Sequence, residues 1–479
     1  MSVRSSFLWS GIDRFASQVA LLAIGIVLAR LIPPEEYGLI ALVTIFTALG
    51  QNMVNTGFRS SLIQAKTLDG ADCSTVLFSN MVLSGGLMLV LWLVAPLIAM
   101  FFDEPRLTLI VQVLAIGLLF EAPSVVQQGL LTRSMKFREQ TVAAICANAL
   151  SGGIAIFMAF AGHQVWALVT LNLTSKLFLT IFLWFASDWR PKDRPNKAAF
   201  MRLVPYGAKV AGCSLVQTLS QNLNVLLIGK FYPPAEVAFY QRADGYKAIP
   251  VSNLTLVTNR VLFPVFSRTQ DDPAAFRETF LKCMRMTAFL FFPLMACMMI
   301  NAEQIIRLLI GEKWVAAAPL LQVLAIAGAF SPLLDLNGLA LTALGQAGNA
   351  FKVELVKRVL MTVILVLTIA GGTYYVAAGQ SVGFVLAAFV VAHYSGKYVG
   401  VGMLDQTISW APYAVLTAGA YFVTLLVFRN FSLPLPLMIV AQCAVLASCY
   451  GVMVMLTGLS GPKEAFAMIR GRRVAEQVG

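Results

Sequence analysis

Charge is scarce in this chain. Asp, Glu, Lys and Arg make up 12% of its 479 residues, about half the share that a water-soluble domain carries. Together with 58% hydrophobic residues and a mean hydropathy of +0.78, that scarcity excludes a water-soluble globule. Histidine is scarcer still, and the two present, His163 and His393, stand too far apart for a metal signature. The seven cysteines (Cys73, Cys146, Cys213, Cys283, Cys297, Cys443, Cys449) lack metal-type spacing. Most sit inside apolar runs, where a thiol behaves as a small hydrophobe. No P-loop, HExxH or GxSxG motif is present, so nothing in the sequence drives ATP hydrolysis or nucleophilic catalysis. The expectation is a protein that is not an enzyme and needs no cofactor. The alternating pattern of a membrane β-barrel is also missing.

What is present is a repeat. Ala29-Arg30-Leu31-Ile32-Pro33-Pro34-Glu35-Glu36 has an echo in Gly229-Lys230-Phe231-Tyr232-Pro233-Pro234-Ala235-Glu236. Each copy closes one long apolar segment and opens the next. A Pro-Pro pair cannot continue a helix, so each copy predicts a helix stop at a membrane surface. Gln112-Val113-Leu114-Ala115-Ile116 returns unchanged as Gln322-Val323-Leu324-Ala325-Ile326. Two matches at nearly one offset indicate an internal duplication.

Apolar runs long enough to span a hydrocarbon core of roughly 30 Å follow one another along the chain. The first half predicts spans over 7–32, 38–58, 74–102, 107–131, 140–162 and 165–186. The second predicts 203–229, 237–266, 278–301, 316–344, 353–371 and 377–402. Two further runs, 411–428 and 435–457, have no counterpart, for about fourteen transmembrane helices in an all-α integral membrane protein. The implied division is a six-helix lobe over 1–188, a basic proline-rich linker over 189–199, and a second six-helix lobe over 200–402. Two extra helices and a basic tail occupy 403–479. Six spans per half make the repeat parallel. Most of the 35 Lys and Arg fall in loops on one side, including Arg133/Lys136/Arg138, Arg190 to Arg202 and Arg470/Arg472/Arg473. The positive-inside rule then puts both termini in the cytoplasm and accounts for most of the +12 net charge without a nucleic-acid partner.

Some charges fall inside spans. Arg14, Lys176, Lys209, Arg242, Lys247 and Arg260 do, with Asp13, Glu121, Asp244 and Asp335. Each costs roughly 2.5–3.5 kcal/mol at a helix centre, so such groups face water or a partner. Helical spacing aligns Thr47, Gln51, Asn55 and Arg59; Ser10, Arg14 and Gln18; Lys209, Gln217, Gln221 and Asn224; and Arg242, Asn253 and Arg260. These stripes lie on spans one, two, seven and eight, which suits a central water-filled cleft. A cleft richer in cations than acids predicts an anionic ligand, for which guanidinium offers bidentate hydrogen bonds. Three bland alternatives stand beside this. Arg59 and Arg260 can snorkel, Asp244 and Lys247 can form a plain ion pair, and polar amides can glue helices together. Glu121-Ala122-Pro123 and Ser331-Pro332 predict matching breaks in the fourth and tenth spans.

Leu31-Ile32-Pro33-Pro34-Glu35-Glu36-Tyr37-Gly38-Leu39, Asn55-Thr56-Gly57-Phe58-Arg59, Arg133-Ser134-Met135-Lys136-Phe137-Arg138 and Phe239-Tyr240-Gln241-Arg242-Ala243 resemble the bacterial polysaccharide transporter (PST) family of the MOP superfamily. So does Arg260-Val261-Leu262-Phe263-Pro264-Val265-Phe266-Ser267. The chain is most similar to the lipopolysaccharide O-unit and exopolysaccharide repeat-unit flippases. The resemblance implies two six-helix lobes in a V around a central cavity. It also implies a substrate, an oligosaccharide on undecaprenyl pyrophosphate, turned from the cytoplasmic to the periplasmic leaflet of the inner membrane by alternating access.

On that reading Arg14, Arg59, Lys209, Arg242 and Arg260 are the candidate pyrophosphate ligands. Gln18, Gln51, Asn55, Gln217, Gln221, Asn224 and Asn253 are the polar lining. Asp13, Glu121, Asp244 and Asp335 are candidates to carry a coupling H+ or Na+, with a salt-bridge role open for each. The polymerase machinery that consumes the unit is a candidate partner. The rival readings are a drug/cation antiporter of the same superfamily and a lipid II flippase. A cavity for cationic drugs calls for acids and aromatics, and this one is basic.

Overall fold

The computed structural model describes residues 18, 20–65, 67–431, 433–462 and 464. At 56, 206, 213 and 256–261 it describes the backbone alone. The described residues form helices and no strand. We number them α1 (Ala20–Leu31), α2 (Pro34–Gln64), α3 (Gly70–Phe101), α4 (Leu107–Glu121), α5 (Ser124–Arg133), α6 (Phe137–Phe160), α7 (Gln164–Ala186) and α8 (Lys197–Phe231). There follow α9 (Pro234–Thr269), α10 (Pro273–Ile300), α11 (Ala302–Leu309), α12 (Ala317–Ala343), α13 (Ala347–Thr368), α14 (Thr373–Val399), α15 (Met403–Phe428) and α16 (Leu435–Thr457). Among the described residues, nine helices are long and apolar enough to cross a membrane, and α4 with α5 makes a tenth span bent by 42°.

Both Pro-Pro copies behave as the sequence predicts. α1 stops at Leu31 and α2 starts at Pro34; α8 stops at Phe231 and α9 starts at Pro234. Proline is tolerated in a first turn because its missing N–H would be unpaired there anyway. Glu35 and Glu36 open α2, and Glu236 opens α9, each favoured by the positive end of its helix.

The chain divides after Ala238 into two compact units. In the first, α8 packs antiparallel along the whole length of α2. Glycine makes this possible at three levels. A Cβ on Gly38 would fall 1.8 Å from the Pro234 carbonyl oxygen, so the two Pro-Pro copies touch. A Cβ on Gly229 would fall 2.0 Å from Leu42 Cδ2. Gly57 and Gly207 face each other, and a Cβ on either would come within 2.9 Å of the other's carbonyl oxygen. Between these levels the Asn52 amide donates to Thr218 Oγ1 (2.5 Å), and past the last of them the Ser61 hydroxyl donates to the Leu203 carbonyl (3.0 Å).

The second unit is built on an aromatic core. Phe266 packs on Phe276 and Phe280, and Phe292, Phe330 and Trp410 meet edge-on or tilted. The two helices without a counterpart in the first half, α15 and α16, pack on α10 of this unit. Phe289 of α10 stacks on Tyr450 of α16 at 5.7 Å. Arg285 pairs with Glu464 (2.6 Å) and Arg277 with Asp405 (2.8 Å), tying α10 to the chain around α15 and after α16.

Candidate functional site

α2 carries two different faces. Gly38, Asn52, Gly57 and Ser61 face α8, while Asn55 and Arg59 of the predicted stripe reach the bent α4–α5 pair. The Asn55 amide donates to Glu121 Oε1 (2.5 Å), and Arg59 Nη1 donates to Gln128 Oε1 (3.0 Å). Gln128 donates onward to Ser124 Oγ at 3.1 Å. On its other oxygen, Glu121 meets Lys176 Nζ of α7 at 3.5 Å, both side chains largely buried. Two opposite mid-span charges thus neutralise one another across α4 and α7. Lys176 stood out in the sequence only as an intramembrane cation. Its partner was unreadable because two helices, α5 and α6, lie between them in the chain.

The break itself is held from outside. Pro123 supplies no N–H and its ring opposes a straight continuation. The carbonyls around it are taken by side chains instead. The Thr180 hydroxyl donates to Phe120 (2.6 Å), the Ser124 hydroxyl to Glu121 (2.7 Å), the Asn80 amide to Ala122 (3.1 Å) and the Trp184 indole to Pro123 (3.1 Å). Four donors from α3, α5 and α7 make the bend a built feature of the first unit. The predicted second break differs. α12 runs unbroken from Ala317 to Ala343 with Pro332 inside it. Of the two proline sites that the repeat suggested as breaks, only the first interrupts its span.

Lys209 stands exposed on α8, as do Gln217 and Gln221, with Asn224 half-buried beyond them. Among the described residues no carboxylate pairs with Lys209 or Arg59. Gln18 is half-buried just before α1. Asp13 and Arg14 lie outside the described residues, and so does the side chain of Arg260.

In the second unit, the Arg242 guanidinium lies over the Trp314 ring, 5.6 Å from its centroid. Asp244 and Lys247 form the i,i+3 ion pair that was one of the alternatives for them. The stem of Lys247 lies against Gly328 of α12, where a Cβ would fall 2.9 Å from Lys247 Cγ. Asn253 is half-buried on α9. Asp335 is exposed on α12, and among the described residues no cation pairs with it. Glu354 of α13 takes both Lys357 and Arg358.

A family model described as "Polysaccharide biosynthesis protein" matches residues 27–319, more than half of the chain. The chain belongs to that family. This agrees with the resemblance carried by Leu31–Leu39, Asn55–Arg59 and Arg133–Arg138. Among its relatives, the teichuronic acid biosynthesis protein TuaB of Bacillus subtilis is 29% identical over 307 residues, 64% of either chain. The lipopolysaccharide biosynthesis protein WzxC of Escherichia coli is 24% identical over 390 residues, 80% of this chain and 77% of that one. Among solved structures, the lipid II flippase MurJ in an inward closed conformation superposes with a TM-score of 0.75 at 13% identity. That match covers 94% of this chain and 98% of MurJ. An inward-facing multidrug resistance MATE transporter of the MOP superfamily gives 0.64 at 15% identity, over 82% and 98%. The family member therefore has the fold shared by MurJ and the MATE transporters.

Proposed function

We propose that this member of the polysaccharide biosynthesis family is a flippase. It turns undecaprenyl-pyrophosphate-linked oligosaccharide repeat units from the cytoplasmic to the periplasmic leaflet of the bacterial inner membrane. One observation carries the reading: Arg59 on the candidate span α2 and Lys209 on the 35-residue helix α8, a span in this scheme, have no acid paired to them among the described residues. A cation kept in a span without a counter-charge calls for an anionic partner, and the family supplies a class of lipid-linked sugars. Names such as those of TuaB and WzxC support the polysaccharide context.

In this scheme Arg59, Lys209 and Arg242, with Arg14 and Arg260, receive the pyrophosphate. Gln18, Gln51, Asn55, Gln217, Gln221, Asn224 and Asn253 offer hydrogen bonds to the sugar. The two sequence repeats rock to alternate access. The nine helices and the bent pair, together with α1, α8, α9 and α13, make the fourteen spans of that scheme, with both termini cytoplasmic. Of the four candidate coupling carboxylates, Asp335 is favoured. Glu121 and Asp244 are already paired, while Asp335 is exposed on its helix with no cation paired to it among the described residues.

The test is accumulation of the undecaprenyl-linked intermediate in cells carrying Arg59→Ala, Lys209→Ala or Arg242→Ala at matched membrane levels. Export is expected to fail in each. At a bidentate phosphate site, Arg→Lys at 59 or 242 is expected to fail nearly as badly, since lysine lacks the planar fork. Normal export in all three alanine variants would sink the proposal.

A further inference from the structure

At the linker end of the first unit, α2, α3 and the first half of α8 enclose a cavity of about 640 Å³. Its walls are apolar: Met53, Phe58, Phe78, Val82, Phe200 and Leu215 line it. Phe78 and Val82 are 59% exposed, so the cavity opens sideways from the unit. Its space comes from α8, where Gly207, Ala208, Ala211 and Gly212 leave little side chain to fill it. A Cβ on Gly212 would meet nothing within 4 Å. The close Gly57–Gly207 approach lies in the same lining.

The rim at the linker end is different in kind. Pro195, Asn196 and Lys197 form it. Arg202, one turn on, is committed to Asp72 at 2.5 Å. Lys197 is exposed, and among the described residues no carboxylate pairs with it; Lys192 and Arg194 just before it are exposed and unpaired in the same sense. An apolar well beneath an uncompensated cation complements one kind of ligand: an apolar chain under an anionic headgroup.

We infer that this groove receives the isoprenoid tail of the lipid-linked substrate on entry, with Lys197 under its phosphate; the inference rests on the flippase reading. Substrate is favoured over a bystander phospholipid by what lies next along the same helix. Lys209 stands twelve residues beyond Lys197, about 18 Å along α8, next in the chain to Ala208 of the groove lining. A headgroup released from Lys197 meets Lys209 next, while its tail stays against the small-residue side of α8. The tail and the headgroup therefore follow two faces of one helix.

The experiment uses the purified full chain and two probes, undecaprenyl phosphate and phosphatidylglycerol, with retention read by native mass spectrometry. Gly212→Phe, at a position where a Cβ has no neighbour within 4 Å, puts a ring into the groove and is expected to weaken undecaprenyl phosphate retention about tenfold, as chain methylenes stay unburied. Lys197→Ala is expected to weaken it about fivefold, the effect of one interfacial cation. Gly153→Phe on α6, also free of neighbours within 4 Å, is expected to change nothing. Should Gly212→Phe fail to fold by its melting curve, Ala208→Leu and Lys197→Glu carry the same test. Variants that bind undecaprenyl phosphate like the parent, or that lose phosphatidylglycerol alone, would overturn the groove and leave the flippase reading standing. A parent protein that binds no undecaprenyl phosphate at all would take down both.

Discussion

Arg202 of α8 holds Asp72 of α3 by one guanidinium nitrogen, Nη2, placed 2.5 and 2.6 Å from the two carboxylate oxygens. Asp72 is 2% exposed and also accepts the Asp69 backbone N–H at 3.2 Å, closing a capping box at the start of α3. One carboxylate thus starts one helix and fastens another. Neither residue was a candidate in the sequence, where Arg202 counted only toward the charge of a loop. The pair sits where α8 enters the first unit, beside the backbone bond from Asn196 N–H to Thr75 Oγ1 (2.8 Å). It fastens the linker end of the α2–α8 seam.

Arg202→Ala leaves a buried carboxylate without its counter-charge. Half-exposure of the arginine softens the loss, so about 1–3 kcal/mol of stability is expected to go. Adding Asp72→Asn is expected to recover most of it, and thermal melting of the four proteins in detergent gives the coupling directly. Additive losses would show the two residues to be independent.

The α2–α8 seam is expected to discriminate among glycines. Gly38→Ala drives a methyl group into the Pro234 carbonyl and forces the backbones apart, at about 1–3 kcal/mol or more. Gly212→Ala meets nothing and removes a glycine from a helix, so it is expected to gain up to about 1 kcal/mol. Membrane levels and melting temperatures of the two variants should move in opposite directions.

The Glu121–Lys176 pair separates structure from ion coupling. Glu121→Gln or Lys176→Met alone leaves a largely buried charge unpaired and is expected to cost about 3–5 kcal/mol. The double variant is expected to return to near-parent stability. A purely structural pair also predicts that the double variant exports normally. Export that stays lost at restored stability would give Glu121 a role in transport itself.

The clamp on the α4–α5 bend can be loosened one donor at a time. Asn80→Ala and Trp184→Phe each strip a donor from a carbonyl at the break, for about 1–3 kcal/mol. Hydrogen exchange over 118–126 is expected to quicken in both. Unchanged exchange would mean that the bend is held by packing alone.

Reporters after Glu36 and Glu236 are expected on one side of the membrane, with those after Arg138 and Arg194 on the other. The antiparallel run of α2 and α8 requires that their facing ends, at Pro34 and Phe231, share a side. Opposite signals from Glu36 and Glu236 would end the parallel-repeat topology.

Some of this was settled by local chemistry. A proline pair cannot stay in a helix, so the Pro33-Pro34 and Pro233-Pro234 boundaries were legible in one dimension. So was the membrane class, since long apolar runs need no partner to declare themselves. Helical spacing alone put Gln51, Asn55 and Arg59 on one face of α2. It could not say that Glu121 and Gln128 receive that face, because those acceptors lie on other helices. The same limit hid Lys176 from Glu121 and Asp72 from Arg202. It also left open which proline would bend its span. Pro123 and Pro332 look alike in sequence, but Asn80, Thr180 and Trp184 converge on the carbonyls beside the first. Glycine shows the division most plainly. Gly57, Gly207 and Gly212 are identical letters, yet two close a helix seam and the third borders open space, because only packing decides what stands opposite a missing side chain.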